Sequence, residues 1–439
     1  MAHKFDRIFR LSGGKPVAVF GAGASGEAAC ALLKKAGLGS AIYAQNSGEK
    51  WREDCGAKHA LAVYSPAFRP DNEWIVSAQK HGCQCLCEPD FAALAWRGKT
   101  VAITGTNGKT TLTKFITHAL KKAGIEAVSA GNIGIPLSKI CAECDYGEDA
   151  VAVCELSSFQ TSRIKYLAPD ALVWTNFDAD HLDWHKDLRE YFSAKVNLAL
   201  ALKKGGAFIA GESVEKSALA FGIKLPENAV FFGEDNPPPA PAPFDTSIQA
   251  RNFTAARLLW EKLGLDEQTL LEACADFELP KFRFSTPEQF EGVRFYNDSK
   301  ATNVHAALAA LDELKNSENL VWLGGGKDKN CDLSELADRV AKYATAAVLI
   351  GQTAAKLEKL FDARKVAHFT MPDMQSAVAK CFELAKANAE KTGADGDVLF
   401  SPAFSSFGMF AGYADRGKSF QNAVLCLKNS KKKVKIEST

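Results

Sequence analysis

A lysine set in a glycine-rich turn, directly after an apolar run, is the most chemically pointed feature of this sequence. Residues 101–111 read VAITGTNGKTT. Gly105, Thr106, Asn107 and Gly108 form the turn, and Lys109, Thr110 and Thr111 follow it. Backbone N–H groups in such a turn cradle phosphate oxygens, Lys109 would neutralise a terminal phosphate, and Thr110 would reach a magnesium ion. The usual loop, G-x-x-x-x-G-K-[ST], requires glycine at 103, where this chain has Ile103. The stretch is therefore either a shortened phosphate loop or a glycine turn with a helix-capping threonine.

Further candidates end other apolar runs. Glu155 closes AVAVCE, the position at which open α/β sheets present side chains to ligands. TNFDADHLDWHKD holds Asp178, Asp180, His181, Asp183 and His185, which suit magnesium or manganese beside a triphosphate, or a polar loop. Lys195 in YFSAKVNL reads as a surface helix lysine, but it lies one helix beyond the His181 loop, which leaves another role open. FYNDSKATN, LGGGKDKNCD and SPAFSSFGMFAGYADRGKSF each follow an apolar strand with lysines, hydroxyls and glycines. Three such ends on one sheet describe the edge of a pocket for an anion.

A second glycine turn, GAGASG, places Gly21, Gly23 and Gly26 between a strand and a helix, where backbone can approach a diphosphate. The acidic residue that a dinucleotide ribose would need is missing after the next strand, where Gln45 and Asn46 stand. NAD and another diphosphate ligand are equally compatible with it.

These residues must be positioned by alternating strands and helices. PVAVF, KTVAIT, AVAVCEL, ALVWTNF, GAFIAG, LVWLGGG, AAVLIG and DVLFSPA are short apolar strands. Helices are expected through GEAACALLKKAG and YFSAKVNLALAL, and around 305–314, 333–343 and 374–390, which makes a set of parallel α/β sheets. The proline-rich EDNPPPAPAPFD (234–245) reads as an exposed loop and Pro280 in FELPKFRF as a hinge, with the tail KNSKKKVKIEST a frayed, solvated end.

At 439 residues two or three domains are expected, and Lys+Arg 53 against Asp+Glu 52 offers no general attraction to nucleic acid or membrane. No spanning segment or secretory signal is apparent, which points to the cytoplasm and to reduced cysteines. Cys83, Cys85 and Cys87 alternate between two strand faces, unlike a tetrahedral ligand set, and CAEC (Cys141, Cys144) has no second pair after it.

Taken together, these segments resemble the Mur ligase family along essentially the whole chain. That family's phosphate loop is the shortened G-T-x-G-K-[ST]-T form, so GTNGKTT is intact. YNDSKATN, LPKFRF and SPAFSSFGMFAGYADRG resemble the members that add D-glutamate, as opposed to L-alanine, a diamino acid or D-alanyl-D-alanine. The resemblance implies an α/β protein of three domains. These are a Rossmann-like UDP-substrate domain at 1–97, a central P-loop ATPase-type domain at 98–279 and a Rossmann-like D-glutamate domain at 280–439. It implies a cytoplasmic, monomeric, ATP-dependent amide ligase that joins D-glutamate to UDP-N-acetylmuramoyl-L-alanine through an acyl phosphate, in peptidoglycan precursor synthesis.

Carried over by motif, ATP would be held by Gly105 through Thr111, with Asn252, Arg283 and Asp298 on its adenine, phosphate and ribose. Thr110 and Glu155 would hold a first Mg2+. His181 and Lys195, the latter carbamylated by CO2, would hold a second; Lys109, Glu155, His181 and Lys195 are the implied catalytic residues. Ala24, Ser25, Asn46 and Ser65 would lie near the UDP moiety and Asn132 near the sugar–alanine part. Lys300, Thr302, Lys329, Ser406, Phe407 and Tyr413 would form the D-glutamate pocket. Three positions depart from the family pattern: Arg251 and Ala255 replace the histidine and second asparagine of H-N-x-x-N, and Ala44 stands where an acid is common. A folylpolyglutamate synthase would want a pterin pocket, which NDSKATN argues against. An NAD-dependent oxidoreductase would leave the Lys109 loop unexplained. A non-catalytic nucleotide-binding scaffold is excluded only by ATP consumption that requires both substrates.

Overall fold

Apolar runs of four to six residues, each closed by a glycine or polar turn, favour short strands buried on both faces between helices. A computed structural model describes residues 2–45, 49–235, 237–328 and 332–437 and bears this out. The chain divides into two compact units, Met1–Phe277 and Glu278–Thr439.

The first unit holds two parallel sheets. Strands β1 (Val17–Phe20), β2 (Ser40–Tyr43), β3 (Leu61–Tyr64) and β4 (Gln84–Cys87) lie in the order β2-β1-β3-β4. Strands β5 (Lys99–Thr104), β6 (Ala127–Gly131), β7 (Val151–Glu155), β8 (Ala171–Trp174), β9 (Ala207–Gly211) and β10 (Ala229–Phe232) lie in the order β10-β9-β8-β5-β7-β6.

One continuous apolar core joins both sheets, from Phe5 and Ile8 on the helix Ala2–Ser12 to Val214 and Ala218. Buried carboxylates stitch the layers. Glu88 accepts the N–H of Ser138 at 2.7 Å, and Asp90 accepts the N–H groups of Tyr166 and Leu167, each at 2.7 Å. Neither carboxylate was singled out from the sequence.

In the second unit β11 (Ser285–Phe290) pairs antiparallel with β12 (Val293–Asn297). Strands β13 (Leu320–Gly324), β14 (Ala346–Leu349), β15 (His368–Thr370) and β16 (Gly396–Phe400) complete a sheet ordered β11-β12-β16-β13-β14-β15. Helices Val304–Glu313, Ser334–Tyr343 and Met374–Thr392 occupy the expected stretches.

Two expectations need correction. The lysine-rich tail is not frayed: helix Tyr413–Glu437 runs through it, because no glycine or proline interrupts 418–437 and lysine is a good helix former. The proline-rich loop is not simply exposed. Residues 237–243 form neither helix nor strand, but Phe244 is fully buried, its ring 4.5 Å from Phe115 and stacked on Phe277 at 5.7 Å.

Candidate active site

Strand order explains why the 105–111 turn is a candidate site. β5 lies between β7 and β8; the chain runs from β5 out to β6 on one side and from β7 across to β8 on the other, so a crevice opens at the carboxyl ends of β5 and β7. Ile103 pairs with Glu155 on one side, and Thr104 pairs with Trp174 on the other.

The turn's shape is set from β8. The Asn176 side-chain oxygen accepts the N–H groups of Thr106 and Asn107 at 3.2 and 2.9 Å, and Thr175 Oγ1 donates to Asn107 O at 2.5 Å. Gly105 has φ +142°, and a Cβ there would fall 1.9 Å from Thr175 Oγ1. Thr175 and Asn176 have no signature of their own in the sequence; only strand order brings them to the loop.

The chemistry is set from β7. Thr110 Oγ1 donates to Glu155 Oε2 at 2.6 Å, and Asn132 Nδ2 donates to Oε1 at 3.0 Å. Lys109 folds back, donating to the carbonyls of Gly105 and Thr106 at 2.8 Å each. Asn252, on helix Ser247–Lys262, is buried against the turn: a Cβ on Gly108 would lie 2.4 Å from its Oδ1. Arg251 Nε beside it is buried with no hydrogen-bond partner among the described residues, whereas Ala255 is a fully buried core position.

Lys195 is no surface lysine. It leaves helix Leu188–Leu200 with 1% exposure, and its Nζ donates to Gly105 O at 2.9 Å and Thr104 Oγ1 at 3.2 Å. Burial drives its pKa well below the ordinary lysine value, and the charge of Lys109 acts in the same direction, opposed by Asp180 and Glu155.

The two histidines of the loop differ. His181 adopts φ +56° with Nε2 3.8 Å from Asp180 Oδ2, and 33% of its side chain is exposed. His185 is buried, 2.9 Å from Ser158 Oγ, and burial pushes its imidazole down to about 4, which keeps it neutral. Of the two, His181 is the one open to solvent.

The GAGASG turn opens on a cavity of about 610 Å³ lined by Gly21, Ala22, Gly23, Ala44, Gln45 and Arg69. Ala24 and Ser25 begin the helix behind it, and Ser65 packs beside Gly21. Asn46 lies outside the described residues, as does Lys329 of the second unit.

In the second unit β12, β16 and β13 are neighbours, so the three polar ends meet at one sheet edge. Lys300 Nζ stands 4.4 Å over the Tyr413 ring; Thr302 is half-buried, Ser406 buried and Phe407 exposed. Arg283 is half-buried. Asp298 is buried and internally bonded, accepting from Ser401 Oγ at 2.9 Å and Phe284 N at 3.1 Å, and burial pushes its carboxyl up to about 7.

Among the described residues no three His, Cys, Asp or Glu side chains gather as a ready-made metal site. Mg2+ needs only one or two protein oxygens beside substrate phosphates, and the Thr110–Glu155 pair supplies hard oxygen donors of that kind. Among the described residues no helix is long and apolar enough to cross a membrane.

Residues 103–255 match the Mur ligase middle domain and residues 282–399 the Mur ligase, glutamate ligase domain. The chain is 31% identical over 423 residues to the UDP-N-acetylmuramoylalanine--D-glutamate ligase of Aquifex aeolicus, covering 92% of this chain and 97% of the relative. It is also 31% identical over 458 residues to the enzyme of the same name from Corynebacterium efficiens, covering 93% and 94%. In fold it is similar to the crystal structure of UDP-N-acetylmuramate-alanine ligase from Thermotoga maritima. The TM-score is 0.57 at 17% identity, covering 94% of this chain and all of that one.

Proposed function

The chain belongs to the Mur ligase family, and from that premise we propose that it joins D-glutamate to UDP-N-acetylmuramoyl-L-alanine, coupled to conversion of ATP to ADP and phosphate. The observation that carries this reading is the phosphate turn with Thr110 fastened to Glu155, in a chain that aligns over nearly its full length with D-glutamate-adding ligases. We assign the UDP-substrate, ATP and D-glutamate roles to domains at 1–97, 98–279 and 280–439, working as a cytoplasmic monomer.

A carboxylate is a poor acyl donor because its leaving group would be oxide. Transfer of the terminal phosphoryl group of ATP to it gives an acyl phosphate and ADP. The amine of D-glutamate then attacks the acyl carbon, the C–N bond forms, and phosphate leaves with the electron pair of the broken C–O bond.

With the N–H groups of Thr106 and Asn107 taken by Asn176, those of Lys109, Thr110 and Thr111 at the start of helix Lys109–Lys122 cradle the nucleotide phosphates, and Lys109 swings from its carbonyl contacts to the terminal phosphate. Thr110 and Glu155 would hold one Mg2+, and His181 with carbamylated Lys195 a second; when bound, these ions offset the repulsion between phosphate and carboxylate. Burial supports the carbamate: a neutral Lys195 amine can add to CO2 with loss of a proton, and the anionic oxygens so formed would lie beside the turn. Lys300, Thr302, Lys329, Ser406, Phe407 and Tyr413 would hold D-glutamate, and Ala24, Ser25, Asn46, Ser65 and Asn132 the UDP substrate. We assign Asn252 to the adenine, Arg283 to the phosphate and Asp298 to the ribose of ATP.

The test is a panel of amino acids with the UDP-linked substrate and ATP, scored by phosphate release. D-Glutamate should be consumed and L-glutamate, L-alanine and diamino acids strongly rejected. Comparable turnover with any of these would name a different member of the family.

A further inference from the structure

A buried cation in the second unit is not used by this mechanism. Arg416, near the start of helix Tyr413–Glu437, is 1% exposed. Its Nη2 donates to Ser299 O at 2.8 Å, its Nε to Ser299 Oγ at 3.1 Å and its Nη1 to Phe404 O at 2.9 Å. Ser299 Oγ in turn donates to Tyr413 O at 2.8 Å, so the hydroxyl is fixed from both sides.

The three bonds reach two different strand ends. Ser299 belongs to the turn after β12 and adjoins Lys300; Phe404 belongs to the turn after β16, two residues before Ser406. The turn after β13 packs on the same group: a Cβ on Gly326 would lie 3.3 Å from Nη1 and 2.5 Å from Ser405 O. Ala403, just before the Phe404 carbonyl, is held at φ +67° although it is not glycine, a conformation that persists only when its surroundings enforce it.

We propose that Arg416 is a positioning residue that locks the turns after β12 and β16 into one frame, with the β13 turn packed against it. Through that frame it sets the spacing of the groups that grip the amino-acid substrate.

The fork of the guanidinium suits this task. It presents several N–H donors in fixed directions, whereas a lysine ammonium is a single point on a flexible stem. All three acceptors are neutral and the Asp298 carboxylate acts on the group only through its charge, so the hydrogen bonds themselves call for reach and direction. Burial pulls the group down to about 10, and it stays charged at neutral pH. Arg416→Lys therefore keeps one donor of similar reach and loses the double span.

The assignment to the amino-acid pocket rests on the function proposed above; the locking of the turns does not. Two readouts keep them apart. Hydrogen–deuterium exchange of residues 298–303 and 403–407 in Arg416→Lys should rise well above that of the parent chain, while β13, β14 and β16 stay protected. Turns as protected as in the parent would overturn the clamp, whatever the enzyme's substrate. In phosphate-release assays the KM for D-glutamate should rise on the order of tenfold, with the KM for ATP and for the UDP substrate within about twofold, because misplacement of a gripping group is felt by the ligand it grips. A uniform loss of kcat with unchanged KM values would overturn the positioning role, even in a parent that consumes D-glutamate.

If Arg416→Lys fails to fold, Ser299→Ala decides. It removes only the hydroxyl link between Arg416 and the Tyr413 carbonyl, and should raise exchange in the same two turns and the D-glutamate KM by a few-fold. No change in either measurement would overturn the proposal.

Discussion

GAGASG at 21–26 and GTNGKTT at 105–111 both follow a buried parallel strand and lead into a helix, yet their surroundings have little in common. The first is a matter of backbone shape. A Cβ on Gly26 would fall 1.9 Å from Gly21 O, so that glycine lets helix and strand approach, and Gly23 faces open space. The second turn is surrounded by chemistry: Asn176 and Thr175 from β8, Glu155 from β7, Lys195 and Asn252 from two helices. Glycine spacing alone does not distinguish a surface that accommodates a ligand from one that reacts with it. The difference lies in which strands flank the turn.

Removing charge from the second turn should produce the largest effects. Lys109→Ala should abolish acyl-phosphate formation, with a barrier increase on the order of 3 kcal/mol or more. Near-normal phosphate release in that variant would reduce the second turn to the status of the first. Lys195→Ala should be nearly inactive and partly restored by a small added carboxylate, which would replace the anionic oxygens of the proposed carbamate. Full activity of that variant in CO2-depleted buffer would show that neither the buried amine nor a carbamate on it is needed.

The same contrast separates what the sequence makes legible from what it hides. Strand–turn–helix order and the glycines are local patterns, and the strands, the 105–111 turn and Glu155 could all be read from them. Contacts made across sequence could not. Thr110 meets Glu155 across 45 residues, and Lys195 meets Thr104 across 91. The burial of Lys195 is invisible because a lysine on a mixed helix reads as exposed until strand order puts that helix over the turn. The tail was misread for the opposite reason: its charges suggest solvation, but helix propensity is local and nothing in it stops the helix. Arg416, inside a recognisable segment, gives no sign that it spans two turns.

Smaller effects sharpen the comparison. Gly105→Ala puts a Cβ 1.9 Å from Thr175 Oγ1, so Thr175 or the turn must move. Such overpacking typically costs about 1–3 kcal/mol, and the KM for ATP should rise with it. Unchanged stability and ATP binding would mean that the turn relaxes freely. Glu88 and Glu155 form a second pair, both buried carboxylates at strand ends, but Glu88 accepts a main-chain N–H and belongs to the scaffold. Burial raises Glu88 from 4.5 to about 7, so the folded chain holds its proton more tightly than the unfolded one. Its contribution to stability is full below about pH 4.5 and is lost as pH rises through about 7. Glu88→Gln, which imitates the protonated form, should therefore gain stability relative to the parent between pH 5 and pH 8 in urea unfolding, with D-glutamate turnover unchanged. An equal difference at both pH values would mean that Glu88 titrates normally.

The smallest effect belongs to Gly23→Ala. Gly23 has φ −84° and ψ −172°, extended backbone that any residue adopts, and a Cβ there would meet nothing within 4 Å. It stands at the helix N-cap, where glycine and alanine differ by roughly 1 kcal/mol at most, and no buried group loses a partner. Stability should stay within about 1 kcal/mol of the parent, and the KM for ATP should not change, because the 105–111 turn is a separate structure. The methyl group would nevertheless project into the cavity that Gly23 lines with Gly21 and Ala22. If a diphosphate lies against that backbone, the added carbon holds it off the N–H groups, and the KM for the UDP-linked substrate should rise a few-fold alone. An unchanged KM would mean that the ligand does not approach the first turn at Gly23.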